Sequence, residues 1–304
     1  MPRLSFRRRL LHPAAAGRRM RRAAYVLPTL FTAGNLLLGW TAVLRTFRGA
    51  MLASTGAGGA EEHFAVAAVA IGLAAFLDGL DGRIARLTNT SSEFGREMDS
   101  LADVISFGLA PALLAFAWGV QFIDPALNPA AREHILRAGY FFAFLFLLSG
   151  AVRLARFNIS KNPVPKNPGR PDRKYFVGLP IPASAATVAA VVYAAGAHPV
   201  RFWPATLGWL AMLGLLSFLM VSTWRYQSFK DISLLRPRSP VTAILLGGLI
   251  YLIWNWPQPV LLAMAIAYVS SGIIVRVGGV ARRRFRQARS PKHPGTVEPE
   301  RQIG

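Results

Sequence analysis

The sequence predicts an all-α, polytopic integral membrane protein of about eight transmembrane helices. Three observations carry this. The chain has 304 residues, 53% hydrophobic and 16% charged, with a mean hydropathy of +0.36, a membrane composition rather than a soluble one. Its apolar residues gather into runs near the roughly 20 residues that span a bilayer. Its basic residues flank those runs and form no stripe. The net charge of +21 therefore does not point to nucleic acid as a partner. There are no cysteines, which excludes disulfides and thiol chemistry.

Residues 1–23 form a basic N-terminal tail with eight arginines, suited to contact with anionic lipid. The apolar run from Ala23 to Leu44 is too long for the core of a signal peptide and lacks a small-residue cleavage site followed by a soluble domain. It is the first membrane helix, with Asn35 in mid-span. An Asn there either bonds a neighbouring helix or faces a ligand. Residues 45–62, rich in Gly and Ala, read as a loop. Helix 2 is expected over His63–Ile84, a polar connector over 87–96, and helix 3 over Met98–Val120. Helix 4 covers His134–Phe157, where Arg153 and Arg156 share a face at spacing three. Snorkelling, pairing with acids, and binding of a phosphate or carboxylate all suit that pair.

A basic, Pro-containing loop follows over 158–177. Helix 5 starts after it, with two prolines near its first turn, where they are tolerated, and reaches Ala195. Helix 6 covers Pro204–Thr223, and the loop 224–239 is basic and amphipathic. Helices 7 and 8 cover Pro240–Trp254 and Pro259–Val277, with Trp254 and Trp256 marking an interface. The domain plan is one membrane domain, 24–280, between the N-terminal tail and a disordered basic C-terminal tail, 281–304.

Four carboxylates organise the chain. Asp78 and Asp81 close helix 2, and Asp99 and Asp103 open helix 3. The chain has only 14 acidic residues, and acids beside membrane spans are costly, about 2.5–3.5 kcal/mol each at the bilayer centre and less near the interface. Spacings of three and four put each pair on one helix face. A hairpin of the two helices brings all four to one end, where they cannot all stay ionised without cations. Oxygen-only ligands suit Mg²⁺ or Mn²⁺, and Mg²⁺ favours carboxylates together with phosphate oxygens. The physics points to a metal–diphosphate site at a membrane surface. Gly82, Ala85 and Gly95 are small where a ligand needs close backbone approach, and Arg86 adds positive charge.

The pattern Asp78-x-x-Asp81-Gly82-x-x-Ala85-Arg86, then Gly95, Asp99 and Asp103, resembles the CDP-alcohol phosphatidyltransferase signature at every fixed position. Further stretches are similar to the bacterial phosphatidylserine synthase branch of that family: Asn35-x-x-x-Gly39, SFGLAPA at 106–112, RLARFN at 153–158, FVGLPIPA at 176–183 and SFKD at 228–231. The resemblance implies the CDP-alcohol phosphatidyltransferase fold. It implies transfer of a phosphatidyl group from CDP-diacylglycerol to L-serine, releasing CMP. It gives Asp78, Asp81, Asp99 and Asp103 as ligands of two Mg²⁺ or Mn²⁺ ions, Asp103 also as general base, and Gly82, Arg86 and Ser92 as contacts of the CDP moiety. A homodimer is implied as well. Arg153 and Arg156 are candidates for the serine carboxylate on charge alone.

The basic residues fix an orientation. Thirty of the 35 Lys and Arg fall in segments that an eight-helix plan puts on one side; Arg45, Arg48, Arg132, Arg137 and Arg201 fall on the other. The asymmetry predicts a multi-pass protein of the cell inner membrane with both termini and the acid cluster cytoplasmic. Two alternatives stand beside the serine reading. One keeps the family and changes the acceptor to glycerol 3-phosphate, inositol phosphate or choline. The other is a cation transporter, which would place its acids near the midplane in broken helices.

Overall fold

The apolar runs form helices, and most are longer than the sequence suggests. The computed structural model describes residues 13–88, 93–124, 126–161, 175–227 and 240–289. In chain order the elements are α1 (Pro13–Thr55), α2 (Ala60–Thr88), α3 (Glu93–Asp103), a π-helical turn (Val104–Leu109), α4 (Ala110–Gly119), α5 (Pro129–Lys161), β1 (Tyr175–Val177), α6 (Ile181–Ala194), α7 (Trp203–Val221), β2 (Arg225–Gln227), α8 (Pro240–Asn255) and α9 (Pro257–Arg289).

The loop expected over 45–62 is a correction. α1 continues to Thr55, and the turn to α2 is only residues 56–59. Gly49 explains part of this, because a Cβ there would lie 3.2 Å from the Phe64 ring. Glycine in that stretch serves close packing of α1 on α2 rather than a turn. The turn itself falls at Gly56 and Gly59, which both have positive φ (69° and 93°). α9 also runs to Arg289, past the start of the tail expected from 281. Its Ala, Gln and Arg are good helix formers. Likewise α1 begins at Pro13, inside the expected N-terminal tail.

Among the described residues five stretches are long and apolar enough to cross a membrane: Ala60–Leu80, Phe94–Gly119, Pro129–Ile159, Trp203–Val221 and Pro257–Arg276. α6 and the apolar part of α8 are shorter. The protein is a polytopic, helical membrane protein. Among the described residues the one departure from all-α is an antiparallel pair of three-residue strands, with Phe176 opposite Tyr226.

The core lies between α2, α4, α6 and α7, around Phe64, Ile71, Leu114, Val188 and Leu213. Small residues set how closely the helices approach. A side chain at Gly119 would overlap Trp209, whose indole N–H donates to the Ala115 carbonyl at 2.9 Å. Gly150 likewise leaves room for Ile181. Outside the core, Leu37, Trp40, Leu44, Phe47 and Met51 expose one face of α1, as suits a helix against lipid.

Candidate active site at the α2–α3 hairpin

The site begins with a backbone detail. Asp103 is the last residue of α3, and the next six residues make the π turn. Such turns carry one extra residue in the helical ladder and recur at functional sites. Here the turn is held from α1. The Ser106 hydroxyl donates to the Asn35 carbonyl at 3.0 Å. Gly39 faces Ser106 so closely that a Cβ would overlap its hydroxyl and come within 2.7 Å of its Cα. Gly34, one residue before Asn35, meets Leu77 beside Asp78. α1 is thus wedged between the two acid-bearing helices, with Asn35 in the wedge.

Asp78, Asp99 and Asp103 converge. A carboxylate oxygen from each lies within 4.8 Å of the others. Asp103 is only 8% exposed. Like charges this close disfavour one another strongly unless a cation or proton intervenes. Three carboxylates without nitrogen or sulfur donors are a hard-ion set, so the residues present fit Mg²⁺ or Mn²⁺. Asp81, Gly82, Ala85 and Arg86 lie on the last turns of α2, but their side chains are outside the described residues, as is Ser92 altogether. Gly95 sits in the first turn of α3.

A cavity of about 420 Å³ opens beside the acids. Arg96, Asp99, Ser100, Asp103, Phe157 and Asn158 line it. α5 forms its second wall. The Asn158 amide donates to the Ser100 hydroxyl at 2.9 Å, tying the two walls together.

The two arginines of α5 part company. Arg153 has Tyr268 and Asp103 as electrostatic neighbours, and its Nε is buried without a hydrogen-bond partner. Arg156 is exposed and donates through Nη1 to the Val221 carbonyl at 3.0 Å, where α7 ends. That bond gives Arg156 a helix-capping role. Asn35 is fully buried, and neither atom of its amide makes a hydrogen bond. A buried polar group left so costs about 1–3 kcal/mol, a cost that a ligand's polar atoms can remove.

Sequence reasoning weighed Arg96 only as a partner for the acids and passed over Ser100; Ser100 follows Asp99 directly, and Arg96 lies three residues before Asp99. Their proximity to Asp99 is the signal that could have found them. Tyr268 had no such signal, since only the fold brings α9 against β2, where its ring meets Tyr226.

The comparisons with known proteins agree in kind. The CDP-alcohol phosphatidyltransferase profile matches residues 25–221. The chain is 37% identical over 209 residues to the CDP-diacylglycerol–serine O-phosphatidyltransferase of Helicobacter pylori, covering 68% of this chain and 74% of that protein. The enzyme of that name from Bacillus subtilis is 29% identical over 204 residues, 67% of this chain and 91% of its own length. An archaetidylserine synthase of Methanothermobacter thermautotrophicus is 33% identical over 166 residues, covering 53% of this chain and 55% of its own.

Proposed function

The chain belongs to the CDP-alcohol phosphatidyltransferase family, and from that premise we propose that it transfers the phosphatidyl group of CDP-diacylglycerol to L-serine, giving phosphatidylserine and CMP. The observation that carries this is the convergence of Asp78, Asp99 and Asp103 within 4.8 Å beside a cavity. The names of the relatives support serine as the acceptor.

Asp78, Asp99 and Asp103, with Asp81, would hold one or two divalent ions. When bound, these supply neutralisation of the diphosphate and of the departing CMP oxygen. The remaining work falls to the chain. Asp103 takes the proton of the serine hydroxyl as its oxygen bonds to the phosphorus that carries diacylglycerol, and the bond from that phosphorus to the CMP oxygen breaks. Gly82, Ala85 and Gly95 leave room for the nucleotide, and Arg86 and Ser92 bind it. The unmet amide of Asn35 donates to the phosphates between the two acid-bearing helices. Arg153 binds the serine carboxylate, and Arg156 braces α5 against α7. The site faces the cytoplasm of the inner membrane, where serine and CMP are soluble, and the protein works as a homodimer of about eight spans per chain.

The test is CMP release by membranes holding this protein, supplied with CDP-diacylglycerol and Mn²⁺ or Mg²⁺. L-Serine, glycerol 3-phosphate, inositol phosphate and choline are offered separately. Serine-dependent release is expected, and Asp103→Asn is expected to lower it by about 10³-fold or more, in line with loss of a general base that is also a metal ligand. Release with another alcohol alone overturns the acceptor. Release with none, from folded protein, overturns the transferase reading and favours a transporter.

A further inference from the structure

Asn158, the last residue of RLARFN, lies near the end of α5, one helical turn after Leu154, and both line the cavity beside the acids. Ser100 faces it from α3 and shares a helix face with Asp103, three residues on. The Ser100 hydroxyl donates to the Arg96 carbonyl at 3.0 Å, so its proton is committed. Towards Asn158 it has only lone pairs to offer. The Asn158 amide therefore turns its NH2 to Ser100 and donates at 2.9 Å. The opposite orientation would set two acceptor oxygens face to face. With the amide so turned, its Oδ1 stands away from Ser100, and none of the described residues donates to it.

The surroundings of that oxygen favour a charged donor. Glu97, Asp99 and Asp103 line the cavity, with Arg96 as the arginine among the described lining residues, a field that suits a cation. Divalent ions held by the acids would repel an ammonium, so an amino group needs its acceptor on a wall apart from them. α5 is that wall. Helix neighbours such as Ser100 and Asp103 have Cβ atoms about 5–6 Å apart. Serine carries its hydroxyl and its amino group on adjacent carbons. A serine whose hydroxyl meets Asp103 can therefore bring its amino group to Asn158. An asparagine near a helix end often does no more than pin two helices together. Here the pin takes one N–H of the amide and leaves the oxygen for a ligand.

We propose that Asn158 is the specificity-determining residue for the acceptor's amino group: pinned by Ser100, its carbonyl oxygen accepts a hydrogen bond from the ammonium while Asp103 faces the hydroxyl. This rests on the serine reading given above and names the group that tells serine apart. A site built to bond an N–H rejects an analogue without it better than shape alone can. The contact thus separates serine from glycerol 3-phosphate and inositol phosphate, which carry no amino group.

The test compares two acceptors in membranes holding the full-length protein, with CDP-diacylglycerol and Mn²⁺. One is L-serine. The other is 3-hydroxypropanoate, which keeps the hydroxyl and the carboxylate and lacks the amino group. The readout is the ratio of kcat/KM for serine to kcat/KM for 3-hydroxypropanoate. Where the analogue is not turned over, the ratio of its Ki to the KM for serine takes its place. Asn158→Leu is expected to lower the ratio about tenfold, the size of one hydrogen bond to a charged group, and to leave KM for CDP-diacylglycerol within about twofold. Asn158→Asp, which puts a full negative charge on the acceptor oxygens, is expected to raise the ratio. An unchanged ratio in Asn158→Leu overturns the proposal even where activity falls, because an equal loss with both acceptors is the mark of a packing role. If Asn158→Leu does not fold, Asn158→Asp decides alone. A ratio that does not rise in Asn158→Asp overturns the proposal in either case. These outcomes leave the serine reading intact, since the wild-type protein still uses serine. A wild-type protein that ignores serine and uses another alcohol sinks the serine reading and the role of Asn158 together.

Discussion

The two ends of α2 handle charge in opposite ways. Glu61 and His63 stand at its start and Asp78 seventeen residues on, about 25 Å away along the helix. At the start, charged and polar groups find complements. Arg45 donates to the His63 Nδ1 at 3.1 Å, and His198 pairs with Glu61 at 3.4 Å. At the other end Asp78, Asp99 and Asp103 gather like charges into one place. Exposed pairs of the first kind are worth about 0–1 kcal/mol. Two like charges about 4 Å apart oppose folding by about 4 kcal/mol at an effective dielectric near 20. The acid end cannot be there for stability. The contrast separates the end that joins helices from the end that does chemistry.

The sharpest way to break this contrast is to remove one acid. Asp78→Asn should lower CMP release by about 10²-fold or more, as loss of a ligand that neutralises the diphosphate. In chelator, the same change should raise the thermal midpoint, because it relieves repulsion without emptying the core. A variant that is inactive and also less stable without metal would show that the acids brace the fold. Intermediate in effect is the wedge of α1. Gly39→Val forces a side chain into Ser106, and overpacking of this kind costs about 1–3 kcal/mol. Less folded protein recovered from detergent is the expected outcome; full recovery would mean that α1 does not hold the π turn. The smallest effect belongs to the paired end. Glu61→Gln should shift stability by less than about 1 kcal/mol and leave serine-dependent CMP release as it was. A large loss of activity there would join the two ends that the comparison separates.

The acid end was the legible part of the sequence. Spacings of three and four between Asp78, Asp81, Asp99 and Asp103 project onto helix faces without any tertiary information. The helices were legible for the same local reason, save where Gly49 was read as a loop residue although it serves packing on Phe64. What stayed hidden is non-local. The pairing of β1 with β2 joins segments about 50 residues apart. The hydrogen bond from Arg156 to Val221 spans 65 residues, and it turns one of two arginines that look alike in sequence into a brace. The contact of Tyr268 with Tyr226 needs the whole bundle to form. No periodicity reports the π turn, because it is one added residue in an otherwise apolar helix.

That turn lets α3 and α4 carry one residue more than a plain α-helix of the same rotation. The winding absorbs the added residue, so Asp99 and Asp103 keep their phase against Leu114 and the core. Rewinding the same six residues as plain α-helix, with none removed, would swing the acids by about 100° relative to that core. The alignment of the acid cluster is therefore a matter of how the ladder is wound between Val104 and Leu109, and the contacts from α1 at Asn35 and Gly39 grip the helix where that winding is set.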